Sequence, residues 1–293
     1  MEKWAGKVAI ITGASEGMGN LLSKQLVEHG VIVAGVARTQ KKLKAMEKEL
    51  QGKKGRFHGF QMNLTEDKSI HKAVEEIEKE LGPIAILVNM GSTATGTPLI
   101  EDSTDAQNWT LEINVVGACL LMKLAIESMR KNNIEGHIIN VGGTASYFTS
   151  VFDDCHFYSV SKFILRALGD ALRMEFRANN IPIRIGHIGP GHVTTGAQTR
   201  AGLKTAHMYE GFKEFATEIY EMSPKVLPKK FPFNADGDNI YHNDILPALT
   251  MEDVISTILR MLSSPQGAEI MDIIMKPTDR RNNMYETDLY WRS

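Results

Sequence analysis

The chain has 293 residues, of which 43% are hydrophobic and 23% are charged, and its formal net charge is -2. This length and apolar content suit one globular domain over residues 1–293. The near-neutral charge excludes the basic surface that nucleic-acid binding requires.

Short apolar runs alternate with helical patterns along the whole chain. Continuous apolar strands that alternate with helices predict a parallel sheet covered on both faces, which is an α/β, Rossmann-type doubly wound fold. Strands are expected at 7–12, 31–37, 56–64, 84–90, 136–143, 182–191 and 268–277, and helices at 20–30, 40–52, 67–82, 105–131 and 156–179.

One long segment interrupts this alternation. Residues 204–247 contain several prolines and aromatic residues but no clear strand pattern. An insertion of this length in a regular α/β domain is typical of a lid or substrate loop, which we place at about 196–248.

Cysteine usage and hydropathy indicate a cytoplasmic protein. The two cysteines, Cys119 and Cys155, suit small buried side chains in a reducing compartment. No secretory signal is expected in "MEKWAGKVAIITG", and the longest apolar run, "NVVGACLLM", is too short to span a bilayer.

A glycine-rich turn, "TGASEGMG", follows the first predicted strand. Such a turn brings the backbone close to a pyrophosphate and presents the N–H groups and positive dipole end of the next helix. The sequence therefore predicts a dinucleotide site at Gly13, Ser15, Gly17, Met18 and Gly19.

The end of the second strand favours NADP over NAD. NAD binding requires an acidic residue there, whereas this chain has Arg38, which can pair with a 2′-phosphate. Ser15 and Thr39 are plausible additional ligands. Glu16 argues against NADP, and a solvent-facing Arg38 is the alternative interpretation.

Tyr158 and Lys162 lie four residues apart and therefore share one helix face. An ammonium group beside a phenol is expected to lower the phenol's pKa, so that Tyr158 can exchange a proton with a substrate oxygen. Asn114, in an otherwise apolar helix, is either a structural polar group or part of the site.

Together these motifs resemble the short-chain dehydrogenase/reductase family, from Lys7 to about Pro277. The glycine spacing G-x-x-x-G-x-G, Asn89, Asn114, Tyr158-x-x-x-Lys162 and the run "PGHVTT" carry the resemblance. It implies that Lys162 also holds the nicotinamide ribose, that Asn114 holds a water, and that Asn63 bonds the adenine amine. The other cofactor contacts that it implies are Leu64, Asn89, Gly91, Pro190, Gly191, Val193 and Thr195.

The family's strand five ends in a serine, whereas this chain has Gly143 at that position. Losing a fixed donor to a developing oxyanion costs on the order of 10²–10³ in rate. Thr144 or Ser146 could substitute, or Tyr158 could act alone. The third alternative is a homologue with lost or altered redox chemistry: an isomerase, a cyclase or an NAD(P)-binding non-enzyme.

A second departure follows strand four, where the family's Asn-Asn-Ala-Gly is replaced by Asn89-Met90-Gly91-Ser92. Two departures around one pocket favour a shifted substrate or chemistry.

We interpret His156 and His187 as structural residues, because neither has a carboxylate at a recognisable spacing. No ligand cluster for a metal is expected.

The expected pocket lining is aromatic and methionine-rich, which suits a lipophilic alcohol or carbonyl. Its candidate residues are Tyr147, Phe148, Phe152, Phe157, Met208, Tyr209, Phe212 and Phe215. The stretches "MEKWAGKVAIITGAS", "GVAR" and "DIIMKPT" most resemble the insect farnesol dehydrogenase and dehydrogenase/reductase member 11 group, which implies isoprenoid or steroid-like substrates.

The family resemblance also implies a homodimer or homotetramer that pairs through helices 105–131 and 156–179.

Overall fold

The computed structural model describes residues 1–149, 155–193, 249–265 and 267–278. Its seven strands form one parallel sheet in the order β3-β2-β1-β4-β5-β6-β7. This confirms the predicted doubly wound fold. The strands are β1 Val8–Thr12, β2 Ile32–Ala37, β3 Arg56–Gln61, β4 Ile84–Asn89, β5 His137–Val141, β6 Arg184–Pro190 and β7 Asp272–Met275.

The helices follow the strands, and the last of them, at 251–263, was not among those that the sequence predicted. They are α1 Gly17–Glu28, α2 Gln40–Glu49, α3 Asp67–Leu81, α4 Thr104–Leu111, α5 Gly117–Lys131, α6 His156–Ala178 and α7 Met251–Ser263. Short 3₁₀ turns lie at Glu2–Trp4 and Thr144–Ser146. The predicted insertion at 196–248 and Thr195 lie outside the described residues.

The single helix predicted at 105–131 is divided in the structure. A five-residue π-helix, Glu112–Val116, separates α4 from α5. A Cβ on Gly117 would lie 2.2 Å from the Leu64 carbonyl oxygen, so the helix passes very close to the end of β3. Single π turns inside α-helices are frequent at functional sites, and this one carries Asn114.

Two apolar layers cover the sheet, one on each face. Alternate side chains of the strands enter opposite layers, as Ile11 and Ile10 of β1 do. The first layer packs against α1 and α7, and the second packs against α3 and α5. Strand order reverses between β1 and β4, so the carboxyl ends of β1, β4 and β5 border the crevice where ligands bind in such sheets.

Several large apolar side chains remain exposed on the long helices. Trp109, Val116, Val160 and Phe163 are each more than a third exposed. Among the described residues, the segment 104–131 is long and apolar enough to cross a membrane, but 44% of its most apolar window is buried in the protein. Core helices of soluble proteins pass the same test, so this is weak evidence for a span.

We expect the protein to lose stability in mild acid because of His137. This side chain is fully buried at the start of β5, neither ring nitrogen has a hydrogen-bond partner in the described structure, and burial lowers its pKa to about 3. The unfolded chain takes up the proton near pH 6.5, so the free energy of unfolding should fall as the pH drops from about 6.5 towards 3. His137 contributes a slope of about 1.4 kcal/mol per pH unit, and the buried His187, whose pKa is also lowered to about 3, adds a similar amount.

Urea unfolding at several pH values tests this expectation. The variant His137→Leu should reduce the slope by about half, whereas the neighbouring Ile138→Val should lower stability by about 1 kcal/mol and leave the slope unchanged. An unaltered slope in His137→Leu would assign the acid sensitivity to other groups.

Candidate active site

The glycine-rich turn is tightly packed against the start of α1. A Cβ on Gly19 would lie 2.3 Å from the Gly13 carbonyl oxygen, so only glycine lets the helix approach this closely. Gly13 and Gly17 have φ values of +69° and +58°, and a Cβ on Gly17 would enter open space. Ser15 and Met18 are half-buried beside them.

The first turn of α1 is suited to bind an anion. Its N-cap residue, Glu16, makes no side-chain capping bond to the backbone, so the side chain of Glu16 leaves the N–H groups of the first turn to another acceptor. Together with the open space before Gly17, this geometry fits the pyrophosphate of a dinucleotide.

Thr12 joins this turn to the segment after β4. Its hydroxyl oxygen accepts hydrogen bonds from the backbone N–H groups of Met90, at 2.8 Å, and Gly91, at 2.7 Å. A Cβ on Gly13 would lie 3.2 Å from the Gly91 Cα. Residues 90 and 91 are therefore held directly against the glycine turn.

Asn114 holds the next part of the same segment. Its amide oxygen accepts the Thr93 N–H at 2.9 Å, and its amide nitrogen donates to the Thr93 carbonyl at 2.8 Å. The same nitrogen donates to the Ser161 hydroxyl at 3.0 Å, and that hydroxyl donates to the Tyr158 carbonyl at 2.6 Å. One buried amide therefore fixes both the segment after β4 and the first turn of α6.

Tyr158 and Lys162 face the carboxyl end of β5. The Tyr158 hydroxyl donates to the Gly142 carbonyl at 3.2 Å, and the buried Lys162 ammonium donates to the Val141 carbonyl at 3.2 Å. The Lys162 nitrogen lies 5.4 Å from the centre of the Tyr158 ring. The two side chains thus occupy adjacent positions on one strand end.

The electrostatics of this pair differ from the sequence-based expectation that Lys162 lowers the pKa of Tyr158. Burial raises the pKa of Tyr158 to about 12 and lowers the pKa of Lys162 to about 8. Desolvation of the phenolate is the main cause of the raised Tyr158 pKa, and the nearby ammonium does not reverse it. At neutral pH the phenol therefore carries its proton and is suited to donate it.

Gly142 and Gly143, at the end of β5, differ in the space that a side chain would find. A Cβ on Gly142 would lie 2.0 Å from the Ser146 hydroxyl and 2.3 Å from His187 Nε2. A Cβ on Gly143 would lie 3.8 Å from the Tyr158 hydroxyl, without a clash, but Gly143 has a φ of +116°. A side chain at residue 143 would therefore fit beside the phenol, but the backbone conformation of that residue disfavours one.

Ser146 and Thr144, the two candidates to replace the missing serine, lie in different surroundings. Ser146 is fully buried, and its hydroxyl lies 2.9 Å from His187 Nε2 behind Gly142. Burial lowers the pKa of His187 to about 3, which makes the imidazole a neutral partner. Thr144 is buried in the 3₁₀ turn, where its carbonyl accepts from Tyr147 and Phe148. The structure thus pairs Ser146 with a histidine that we interpreted as structural.

A residue that sequence reasoning did not assign to the site, Ser92, lies beside the phenol. Its side chain lowers the pKa of Tyr158 and so opposes the larger effect of burial. The serine in place of the family's glycine was the one signal in the sequence.

Asn89 ties β4 to β5 at the end of β4. Its amide nitrogen donates to the Asn140 amide oxygen at 2.9 Å. Its buried amide oxygen has no partner within the described part of the chain. One acceptor of this side chain is therefore open, and its contact with the cofactor stays a prediction.

The ends of β2 and β3 carry the residues expected to bind the adenosine part. Arg38 and Thr39 are exposed, and Thr39 begins α2 without using its hydroxyl as a cap. Glu16 pairs with Lys42 at 2.6 Å, so its negative charge is balanced. The Asn63 amide oxygen accepts from both the Thr65 N–H and the Thr65 hydroxyl, so it is already engaged in its own turn.

The end of β6 carries further predicted contacts of the cofactor. The Gly191 N–H donates to the Met275 carbonyl at 2.7 Å, and Val193 bridges to Leu249. Pro190 ends β6. Phe157 is half-buried. The other expected pocket residues, Phe152, Met208, Tyr209, Phe212 and Phe215, lie outside the described residues.

Tyr147, expected in the substrate pocket, packs against the sheet edge instead. Its hydroxyl donates to Asp272 of β7 at 2.6 Å, and the Arg166 guanidinium lies 4.9 Å from its ring centre. Half-buried Phe148 has the Lys276 ammonium 5.4 Å from its ring centre. Among the described residues no group of three or more His, Cys, Asp or Glu side chains could hold a metal ion.

A glycine-rich turn on a doubly wound sheet, with a tyrosine and a lysine at the crevice, defines a dinucleotide-binding oxidoreductase. The family model for short chain dehydrogenases matches residues 7–205. The chain therefore belongs to the short-chain dehydrogenase family, whose members act on CH–OH groups.

Curated relatives match over most of their length. Dehydrogenase/reductase SDR family member 11 of Gallus gallus is 28% identical over 96% of this chain and 99% of its own. Farnesol dehydrogenase of Aedes aegypti is 30% identical over 81% of this chain and 99% of its own.

Among solved structures, the alcohol dehydrogenase of the archaeon Thermococcus sibiricus, complexed with 5-hydroxy-NADP, has a TM-score of 0.71. It is 19% identical and covers 93% of this chain and 97% of its own. A serine dehydrogenase complexed with NADP+ also has a TM-score of 0.71, at 22% identity over 92% and 94% of the two chains. At these identities the structures show a shared fold.

The backbone at Gly143 predicts a stability cost for any side chain there. Gly143→Ala should lower the free energy of unfolding by about 1–3 kcal/mol, because its φ of +116° is unfavourable for L residues. Gly169→Ala in α6 is the matched control, since its Cβ would meet no atom closer than 3.7 Å and alanine favours helix by about 1 kcal/mol. Urea unfolding measures both, and equal stability of Gly143→Ala and wild type would contradict the strained backbone.

Proposed function

We propose that the protein is an NADP-dependent oxidoreductase that interconverts a lipophilic alcohol and its carbonyl compound. The observation that carries the proposal is the Tyr158 hydroxyl, held at the end of β5 beside Ser92 with the buried Lys162 ammonium behind it. This is a proton donor placed at the crevice where the fold binds its cofactor.

The chain's residues have distinct tasks in this proposal. A bound NADPH supplies the hydride that the carbonyl carbon accepts. Tyr158 gives its proton to the carbonyl oxygen and takes it back when the alcohol is oxidised. Lys162 keeps a positive charge beside the phenolate that forms, and Asn114 fixes Tyr158 and the segment after β4 relative to one another.

The preference for NADP is supported by charge at the end of β2. Arg38 is exposed, and no acidic side chain among the described residues forms an ion pair with it. Glu16, the residue that argued against NADP, is balanced by Lys42. The two similar solved structures are complexes with 5-hydroxy-NADP and with NADP+, which points the same way.

A lipophilic substrate is supported by the relatives and by composition. The mosquito relative is named for farnesol, an isoprenoid alcohol. Residues 204–247 of this chain contain seven aromatic residues, which suits an apolar ligand. We extend the proposal to isoprenoid or steroid-like substrates.

We also propose that the protein is a homodimer or homotetramer. The exposed apolar side chains Val116, Val160 and Phe163 lie on the two long helical segments that the sequence predicts to pair. Burial of such a face against a second copy would remove it from water.

Replacement of Tyr158 tests the reaction. Tyr158→Phe removes only the hydroxyl and should reduce kcat about 10²–10⁴-fold, while NADPH still binds. NADPH oxidation with farnesal and with a steroid ketone measures the rate, and fluorescence titration measures binding. NADPH binding by the wild type without turnover of any carbonyl would instead favour the non-redox alternative suggested by Gly143.

Replacement of Arg38 tests the cofactor preference. Arg38→Ala should weaken NADPH binding about ten- to a hundredfold, the range for hydrogen bonds to charged groups, with little change for NADH. The charge control Glu16→Gln should shift the NADPH Kd in the opposite direction. Equal losses for NADPH and NADH in Arg38→Ala would show that Arg38 does not read the 2′-phosphate.

A further inference from the structure

We propose that Tyr147 is a positioning residue, which holds the loop after β5 against β7 and so keeps the acceptor of the Tyr158 hydroxyl in place. This deepens the proposed function and rests on it. Tyr147 directly follows the 3₁₀ turn Thr144–Ser146, so it belongs to the loop in which Gly143 replaces the expected serine.

Tyr147 is bound to the last strand of the sheet by a charge-assisted hydrogen bond. Its hydroxyl donates to the Asp272 carboxylate at 2.6 Å. Partial burial and this carboxylate both raise the pKa of Tyr147, so the phenol keeps its proton and remains a donor. The next residue, Phe148, has the Lys276 ammonium 5.4 Å from its ring centre. Two consecutive residues of the loop therefore contact β7 and the residue that follows it.

The helix that carries Tyr158 contacts the same ring. Tyr158, Lys162 and Arg166 follow one another at intervals of four residues and share one face of α6. The guanidinium carbon of Arg166 lies 4.9 Å from the centre of the Tyr147 ring, and its Nε lies 3.8 Å from the second oxygen of Asp272. Tyr147 and Asp272 therefore connect the loop after β5 with α6 as well as with β7.

The ring of Tyr147 lies beside the Gly143 carbonyl, above the backbone of β6. A Cβ on Gly189 would lie 2.6 Å from the Tyr147 ring and 2.9 Å from the Gly143 carbonyl oxygen. The ring and the carbonyl thus occupy the space that Gly189 leaves open. The ring also meets His187 edge-on, with 5.8 Å between the two ring centres. Tyr147 therefore limits where the Gly143 carbonyl can lie.

The same loop sets the place of the acceptor for the Tyr158 hydroxyl. The Ser146 N–H donates to the Gly143 carbonyl at 3.0 Å, and the Ser146 hydroxyl lies 2.9 Å from His187 Nε2. The Tyr158 hydroxyl donates to the carbonyl of the preceding residue, Gly142, at 3.2 Å. Misplacing reacting groups by about 1 Å can cost about 10²-fold in rate. A loop released from β7 should therefore slow the proton transfer.

The substitution Tyr147→Phe removes the hydroxyl and leaves the ring above Gly189. It should lower kcat for NADPH oxidation with farnesal about tenfold, within the range for misplaced reacting groups. The rate is counted per bound NADPH, with the sites measured by fluorescence titration, and the Kd for NADPH should stay unchanged. A variant that merely unfolds more readily would lose binding sites and keep the rate per site. An unchanged rate per site in Tyr147→Phe would overturn the proposal.

Two variants of Asp272 separate the hydrogen bond from the charge. Asp272→Asn keeps an oxygen that can accept from Tyr147 and should retain most of the rate, whereas Asp272→Ala should lose as much as Tyr147→Phe. The double variant Tyr147→Phe/Asp272→Ala should be no slower than either single variant, because both remove the same bond. Additive losses, or equal losses in Asp272→Asn and Asp272→Ala, would contradict the hydrogen bond as the cause.

Ser128→Ala is the matched control for lost stability. The buried Ser128 hydroxyl accepts the N–H of Ile84, the first residue of β4, at 3.1 Å and donates to Glu78. It lies at the amino end of the sheet, opposite the crevice. The variant should unfold at a lower urea concentration and keep the wild-type rate per bound NADPH. A loss of rate per site equal to that of Tyr147→Phe would show that reduced stability alone explains the effect.

Failure of this proposal is distinguishable from failure of the proposed function. If Tyr158→Phe removes most of the turnover while Tyr147→Phe has the wild-type rate per site, Tyr147 has no positioning role. If Tyr158→Phe leaves the rate unchanged, the proposed reaction itself is wrong, and the role of Tyr147 in it is wrong as well.

Discussion

The site depends on one buried amide, the side chain of Asn114. Its oxygen and nitrogen bind both backbone groups of Thr93, and its nitrogen reaches α6 through Ser161. A buried amide whose bonding capacity is this fully used is rigid, and each lost bond would leave a costly unpaired group. The segment after β4 and the helix with Tyr158 thus behave as one unit.

The backbone around Asn114 makes this possible. The π-helix at Glu112–Val116 changes the direction of side chains within an otherwise regular helical segment, and Gly117 lets the helix run against the Leu64 carbonyl. A regular helix would direct residue 114 differently relative to α6. The π-helix therefore explains how the Asn114 amide reaches Ser161 of α6.

Much of this architecture was predictable from the sequence. Apolar strand runs and helical periodicity gave the seven strands, because a parallel sheet buried on both faces selects continuous apolar strands. Glycines at 13, 17 and 19 gave the turn, and the spacing of Tyr158 and Lys162 placed them on one helix face. These are local signals, and local signals are what a sequence displays directly.

Contacts between elements were not predictable in the same way. The amide of Asn89 bonds across to Asn140, and Tyr147 bonds to Asp272. Each pair lies far apart in the chain, so no spacing rule signals it. The pKa of Tyr158 was misjudged for a related reason, since burial is a property of the assembled site and overrides the nearby charge.

The end of β5 forms one wall of the crevice, the β5 wall, and the segment after β4 forms the other, the β4 wall. The two walls differ in how freely their side chains can be replaced. On the β5 wall, a side chain at residue 142 would collide with Ser146 and His187, and one at residue 143 would strain the backbone. On the β4 wall, Thr12 and Asn114 grip main-chain atoms of residues 90, 91 and 93, which leaves the side chains there unconstrained by those bonds. Libraries that seek new selectivity in this enzyme should therefore randomise residues 90 and 93 on the β4 wall and leave the β5 wall intact.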